Sequence, residues 1–280
     1  MGRLLFTGHE TFYCRTYWLK KGLDHLWADE KFNDQAVVNL GVGKNMVFAI
    51  RFWLRAFGLL DKEDQPNELA ELLFGEVGLD SYCEDIATLW LLHYSLVKTS
   101  YSSIYHLVFH DFRKQRIEFT RERLLDYLER YCTDRGVNFH TNSLKKDIGV
   151  FLNNYITPSK SKSIEDNFIG LLHELKLVER LDKSGGWYKI ENGIKADLPY
   201  QIFLFALLDT FKDSETISIP QIQQLASTFT LDSDGLKMKI DAIVSNFSNA
   251  ITFTEDAGVS VLQLKKPINR WEVLKDYYAA

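Results

Sequence analysis

Residues 39–60 read NLGVGKNMVFAIRFWLRAFGLL, and the fold turns on how the glycines at their start are used. Gly43-Lys44 has the look of a phosphate-cradling loop. A P-loop requires G-x-x-x-x-G-K-[ST], in which backbone N–H groups and the lysine hold phosphates and the last hydroxyl holds Mg²⁺. Here the first glycine falls on Val38 and the hydroxyl on Asn45. No strand ending in two acidic residues stands out as the metal-binding partner. The other reading is a helix-turn-helix. AVVNLG (36–41) would end where Gly41 takes a positive φ, and a second helix would run from about Lys44 to Phe57 and stop at Gly58. Val47, Ile50, Leu54 and Phe57 then share one apolar face, and Lys44, Phe48, Arg51 and Arg55 share a second, cationic one. Asn45 sits at the N-terminal end, where recognition helices meet base edges. The plainer alternative is an amphipathic helix with basic surface residues.

The rest of the chain sets the frame. Its 280 residues are 46% hydrophobic and 14% aromatic, with 5 prolines and 16 glycines, enough for an ordinary core and too few breakers for a low-complexity chain. The three cysteines, Cys14, Cys83 and Cys132, are widely spaced and odd in number, which fits a reducing cytosol and gives no metal pair. The start MGRLLFTGHETF lacks the apolar core of a signal peptide, and IFLFALL (202–208) is far shorter than the roughly 20 residues of a spanning helix. A cytoplasmic protein with no membrane contact is expected. Net charge is −5, but it is segregated. Residues 1–60 and 113–195 are mildly basic, 61–112 strongly acidic and 196–280 acidic. Segregated charge is what one nucleic-acid face on an otherwise acidic protein would show, although charge blocks are also common on solvated faces.

Helical spacing marks TYWLKKGLDHLWA (16–28), and IATLWLLHYSLV within the acidic segment is apolar nearly all round, so it should be buried. Thr120 and Gly136 bracket a helix, TNSLKKDIGVFLNNYI (141–156) is a second, and SIEDNFIGLLHELKLVERL (163–181) is expected as a third, with a capping box at Ser163 and Asp166. Gly185-Gly186 then turns a hairpin between LVERL and WYKI. Three helices followed by a hairpin is the order of a winged helix. A looser copy follows: helices over 199–211, 219–229 and 232–247, a hairpin over 251–266 and a closing helix NRWEVLKDYY. The expected fold is mainly α, with tandem winged-helix (helix-turn-helix) modules carrying small β-hairpin wings. The expected divisions are 1–62, an N-terminal helix-turn-helix module; 63–112, an acidic helical segment; 113–195, a winged-helix module; and 196–280, a C-terminal winged-helix-like module.

The run GHETFYCRTYWLKKG (8–22) concentrates functional residue types: His9, Glu10, Arg15 and Lys20. A His-Glu pair can ligate a metal or move protons. HExxH is absent, because position 13 is Tyr13, and no second cluster has ligand spacing. The plainer reading is that Glu10 or Thr11 caps the following helix and His9 hydrogen-bonds within the fold. His93, His106 and His110 lie in aromatic-rich helices and read as core or partner contacts. Nothing calls for a cofactor or a resident metal, and no catalytic residue is assigned.

GHETFYCRTYWLKKG, LGVGKNMVFAIRFWLRAFGL, YCEDIATLWLLHYSLV and EFTRERLLDYL together resemble the signature blocks of the bacterial family called domain of unknown function 4007. The resemblance implies an association with phage-defence gene clusters of the DNA-phosphorothioation type and carries no catalytic residue. The expected function is therefore duplex-DNA binding by an accessory protein of a defence or DNA-modification system. Lys44, Asn45, Arg51 and Arg55 would form the main face. The loop Lys160 and Lys162 and the wing Lys183, Trp187 and Lys189 would add phosphate contacts. A protein of the same gene cluster is the expected second partner. The alternatives are a protein-docking adaptor and an enzyme centred on His9 and Glu10.

Overall fold

The computed structural model describes residues 4–156, 169–181, 186–256 and 259–279. Two compact units are formed, Met1–Glu191 and Asn192–Ala280. Both are mainly α-helical, and each carries one small three-stranded antiparallel sheet. Among the described residues, no helix is long and apolar enough to cross a membrane.

The first unit opens with α1 (Trp18–Trp27), α2 (Ala36–Leu40) and α3 (Lys44–Ala56). Gly41 ends α2 in the left-handed conformation at φ 59°, the turn residue expected from the sequence. In α3, Val47, Ile50 and Leu54 are buried, as is Phe57 just past its end, while Phe48 is 42% exposed. The acidic segment folds into α4 (Glu68–Phe74), α5 (Ile86–Thr99) and α6 (Ser103–His106), followed by a π-helical turn, Leu107–Phe112, and α7 (Arg113–Gln115). Asn67 caps α4 and Asp85 caps α5 through their side-chain oxygens. Every residue of α5 from Ala87 to Val97 is buried. His93, on this helix, is a core residue: its Nδ1 lies 2.8 Å from the Tyr155 hydroxyl and its ring packs edge-on to Phe109.

β1 (Glu118–Thr120) leads into α8 (Arg121–Asp134), capped by the Thr120 hydroxyl, and α9 (Thr141–Tyr155) follows. β2 (Val178–Arg180) and β3 (Trp187–Ile190) complete the sheet in the order β1-β3-β2. Phe119, Tyr188, Ile190 and Val178 form its buried face.

The expected third helix over 163–181 is not what residues 169–181 form. They make a single 3₁₀ turn, His173–Leu175, and then β2. Leu171, Leu172 and Leu175 are buried at helix-like spacing, which is why the segment reads as helical. Its backbone is committed elsewhere. The Leu171 N–H donates to the Cys14 carbonyl and the Leu172 N–H to the Asn154 carbonyl. An α-helix needs those donors for itself. The capping box at Ser163 and Asp166 lies outside the described residues.

The second unit runs α10 (Tyr200–Thr210), β4 (Thr216–Ser218), α11 (Ile219–Thr228), α12 (Ser233–Asn246), β5 (Ile251–Asp256), β6 (Val259–Leu264) and α13 (Arg270–Tyr278). Its sheet order is β4-β6-β5. A capping box does occur here, between Ser218 and Gln221. Asp232 caps α12, accepting from the Gly235 N–H at 2.7 Å. α10 is buried from Ile202 through Leu208, as an all-round apolar helix must be.

Candidate functional site

One candidate region is the exposed side of α3. Lys44 opens the helix and pairs with Asp34 at 2.9 Å, both side chains well exposed. That hydrogen bond, with the lysine charge, holds the Asp34 carboxyl below its ordinary value. Asn45 is exposed beside it. Arg51 and Arg55, one turn apart, both close on Asp64. Arg51 Nε donates to Asp64 Oδ2 at 3.1 Å and Arg55 Nη2 to the same oxygen at 2.6 Å. Arg55 Nη1 also donates to the Tyr101 hydroxyl at 3.3 Å. Asp64 is delivered by a tight turn. The Asp61 carboxylate accepts from the Glu63 and Gln65 N–H groups, and Asp64 itself takes φ 63°. Partial burial pushes the Asp64 carboxyl up, but hydrogen bonds from Arg55 and Arg51 and their charges outweigh it and hold it below its ordinary value. The cluster of Arg51, Arg55 and Asp64 thus keeps one net positive charge, with both guanidinium planes fixed.

The GHETF loop is the second region. Gly8, Glu10 and Thr11 take φ of 115°, 50° and 68°. Such a backbone persists only where its surroundings over-determine it. His9 is buried, with Nε2 2.5 Å from Asp147 Oδ1 on α9. Its Nδ1 accepts from the Thr11 N–H at 3.2 Å, so Nε2 carries the proton and donates to the carboxylate. The ring stacks 6.2 Å from Trp53 and meets Phe52 edge-on. Trp53 Nε1 donates to the Phe12 carbonyl, and the Cys14 N–H donates to Asn154 Oδ1. Burial pushes the Asp147 carboxyl up to about 6, against the lowering effect of the His9 hydrogen bond. Asp147 Oδ2 is buried with no hydrogen-bond partner.

The loop therefore ties the N-terminal segment to α3 and α9. Glu10 is exposed and Thr11 caps no helix: α1 starts after Tyr17 with no side-chain cap. The capping expected of these two residues does not occur, because five further residues separate the loop from the helix. Arg15 lies 5.2 Å over the Trp18 ring, and Lys20 pairs with Asp24 on the same helix. Among the described residues, no group of three or more His, Cys, Asp or Glu side chains could hold a metal.

The sheet β1-β3-β2 is the third region. Trp187 is 36% exposed, and Arg123 on α8 stacks over it at 4.6 Å. Lys189 pairs with Glu191 at 2.7 Å and lies in register between Glu118 and Glu179. These carboxylates, Glu191 foremost, hold its ammonium above the ordinary value. Lys160, Lys162 and Lys183 lie outside the described residues. Asp64 and Arg123 are not visible as site residues in the sequence. Arg123 reads there only as part of a helix, and Asp64 as part of a separate acidic segment.

The chain belongs to the family described as Protein of unknown function (DUF4007), whose model matches residues 6–278. No curated protein matches it. Two solved structures are similar. One is described as "SspB crystal structure", at TM-score 0.83 and 25% identity, covering 97% of this chain and 87% of that one. The other is described as "Magnesium ion-bound SspB crystal structure", at TM-score 0.83 and 26% identity with the same coverage. The DUF4007 match takes in the GHETF loop, α3 and the second unit alike.

Proposed function

We propose that this protein is a non-enzymatic DNA-binding accessory protein of a bacterial phage-defence or DNA-modification system of the phosphorothioation type, and that α2, its glycine turn and α3 meet duplex DNA. The defence setting rests on the family resemblance alone. The observation that carries DNA binding is the exposed side of α3: Lys44 and Asn45 at its N-terminus, then Arg51 and Arg55 fixed by a shared Asp64. Two guanidiniums on one carboxylate keep a net positive charge and arrive pre-oriented, which suits a phosphate oxygen. The N-terminus of α3 adds backbone donors of the kind that hold a phosphate. The connectivity supports winged-helix modules: each sheet is built from a strand, two helices and two further strands, with the last strand in the middle. In the first unit Trp187 with Arg123 would serve as the wing, and Lys189, ringed by carboxylates, would contribute little.

The test is a salt titration of binding to duplex DNA. Lys44→Gln and Arg51→Gln should each flatten the log–log salt dependence by about 0.9, one phosphate contact apiece. Binding that is absent, or indifferent to salt, would sink the reading. A protein-docking adaptor is the second reading. Tyr17 and Tyr82, 65% and 53% exposed, meet edge-to-face at 6.2 Å on the surface of the first unit and favour it. Loss of a co-purifying partner on Tyr17→Ser with Tyr82→Ser, with DNA affinity intact, would decide for the adaptor.

A further inference from the structure

The second unit is acidic, with eight Lys and Arg against eleven Asp and Glu over residues 192–280. Half of those cations line one open pocket of about 550 Å³: Lys212, Lys265, Lys266 and Arg270. The pocket lies where the loop after α10, the end of β6 and the approach to α13 come together. Lys212, Lys265 and Lys266 are exposed, and none has an ion-pair partner among the described residues. Arg270 Nη1 pairs with Asp209 at 3.1 Å, yet its Nε is buried with no hydrogen-bond partner. Two acids, Asp213 and Glu215, also line the pocket, so with Asp209 on Arg270 four cations face three carboxylates and a positive charge is left over.

Like charges gathered in a concave site repel one another unless an anion joins them. In a unit of opposite net charge, the gathering is the reverse of what random placement gives. Besides Ser214 and Asn269, the rest of the lining is apolar: Leu208, Leu264, Pro267, Ile268 and Trp271. Trp271 is half-buried, with Phe205 5.4 Å away and the Arg270 guanidinium 4.8 Å from its ring centroid. A simple inorganic anion would use the cations and leave this wall idle. A ligand with a phosphate at one end and a flat apolar ring at the other uses both. Asn269 caps α13 at the same place, and the positive end of that helix dipole adds to the field.

We propose that this pocket of the second unit binds a nucleotide, its phosphate held by Lys212, Lys265, Lys266 and Arg270 and its base against the wall at Ile268 and Trp271. All its residues belong to the second unit, so it stands or falls independently of the proposal for α3. The nucleotide could come from two sources, a free mononucleotide or the phosphorylated end of a nucleic-acid strand.

The experiment is calorimetric titration of the full chain with adenosine triphosphate, with a short single strand carrying a 5′-phosphate, with the same strand lacking it, and with inorganic phosphate. Lys265→Gln with Lys266→Gln is the variant, because both side chains are exposed and the fold does not depend on them. Its affinity for duplex DNA is measured alongside and should match wild type, which separates this site from α3. Saturable binding of the triphosphate that weakens about tenfold or more in the variant supports the proposal with a free nucleotide. The same loss for the 5′-phosphorylated strand alone supports it with a strand end. The proposal is overturned if no nucleotide binds up to about 5 mM. It is equally overturned if the variant binds as well as wild type, or if inorganic phosphate binds as tightly as the nucleotides.

Discussion

Replacing Asp147 by asparagine should leave the first unit within about 1 kcal/mol of wild type at pH 7, while alanine should be less stable than asparagine by about 1–3 kcal/mol. The difference follows from what each side chain leaves behind. His9 donates from Nε2 to Asp147 Oδ1, and an asparagine oxygen can still accept that bond. The asparagine NH₂ then takes the place of Oδ2, which has no partner, and a buried neutral donor left unpaired costs about 1–3 kcal/mol. Against this stands relief from burying a charge. The Asp147 carboxyl is pushed from its ordinary 3.8 to about 6, chiefly by burial, which corresponds to about 3 kcal/mol of penalty on the ionised form. The two effects nearly cancel. Alanine removes the same charge but strands the His9 N–H and leaves a cavity where the carboxyl was.

The sign of the pH effect is fixed by the same shift. A raised folded-state value means the folded protein holds the proton more tightly. That contribution is complete below about pH 4 and disappears as pH rises through about 6. Wild type should therefore lose up to about 3 kcal/mol relative to Asp147→Asn between those limits. Urea unfolding followed by tryptophan fluorescence measures this, and five of the six tryptophans, all but Trp271, lie in the first unit. If Asp147→Asn is as damaged as Asp147→Ala at pH 7, or if wild type does not lose stability relative to it as pH rises from about 4 to 7, the reasoning from burial of the Asp147 carboxyl is refuted.

Gly22 on α1 faces α3, where a Cβ would meet Ile50 Cγ2 at 2.6 Å and Leu54 Cδ1 at 2.9 Å. Gly22→Ala should thus destabilise by about 1–2 kcal/mol, the overpacking cost exceeding the roughly 1 kcal/mol gained in helix propensity, and thermal unfolding reads the sign. Asp64→Ala should lower stability by about 1 kcal/mol, a modest figure because its arginine partners are about a third exposed. Since the Asp64 carboxyl is held below its ordinary value, this contribution is present above about pH 4 and fades as pH falls further, so the variant and wild type should converge in acid. Cys14, Cys83 and Cys132 are buried, and burial pushes each thiol up. A thiol reagent at pH 8 should label none of them in the native protein and all three in urea.

Local features were legible in the amino-acid order. The two faces of α3, the turn at Gly41, the caps at Thr120 and Gly136 and the all-apolar α5 and α10 could be read because helical period and end chemistry involve residues within a few positions of one another. The hairpin of β5 and β6 was legible from its alternation. β1 and β4 were not, since three residues carry no period, and each is a strand only because β3 or β6 supplies its hydrogen bonds. The segment 169–181 escapes a sequence reading for the same reason, its donors being claimed by Cys14 and Asn154. The site follows this division. Sequence places Arg51 and Arg55 on one face, but only the folded turn at Asp61–Gln65 brings Asp64 between them. His9 shows itself in the sequence as a titratable residue in a dense motif. Its meaning comes from Asp147, 138 positions away, because which carboxylate meets the buried imidazole is settled by the tertiary structure.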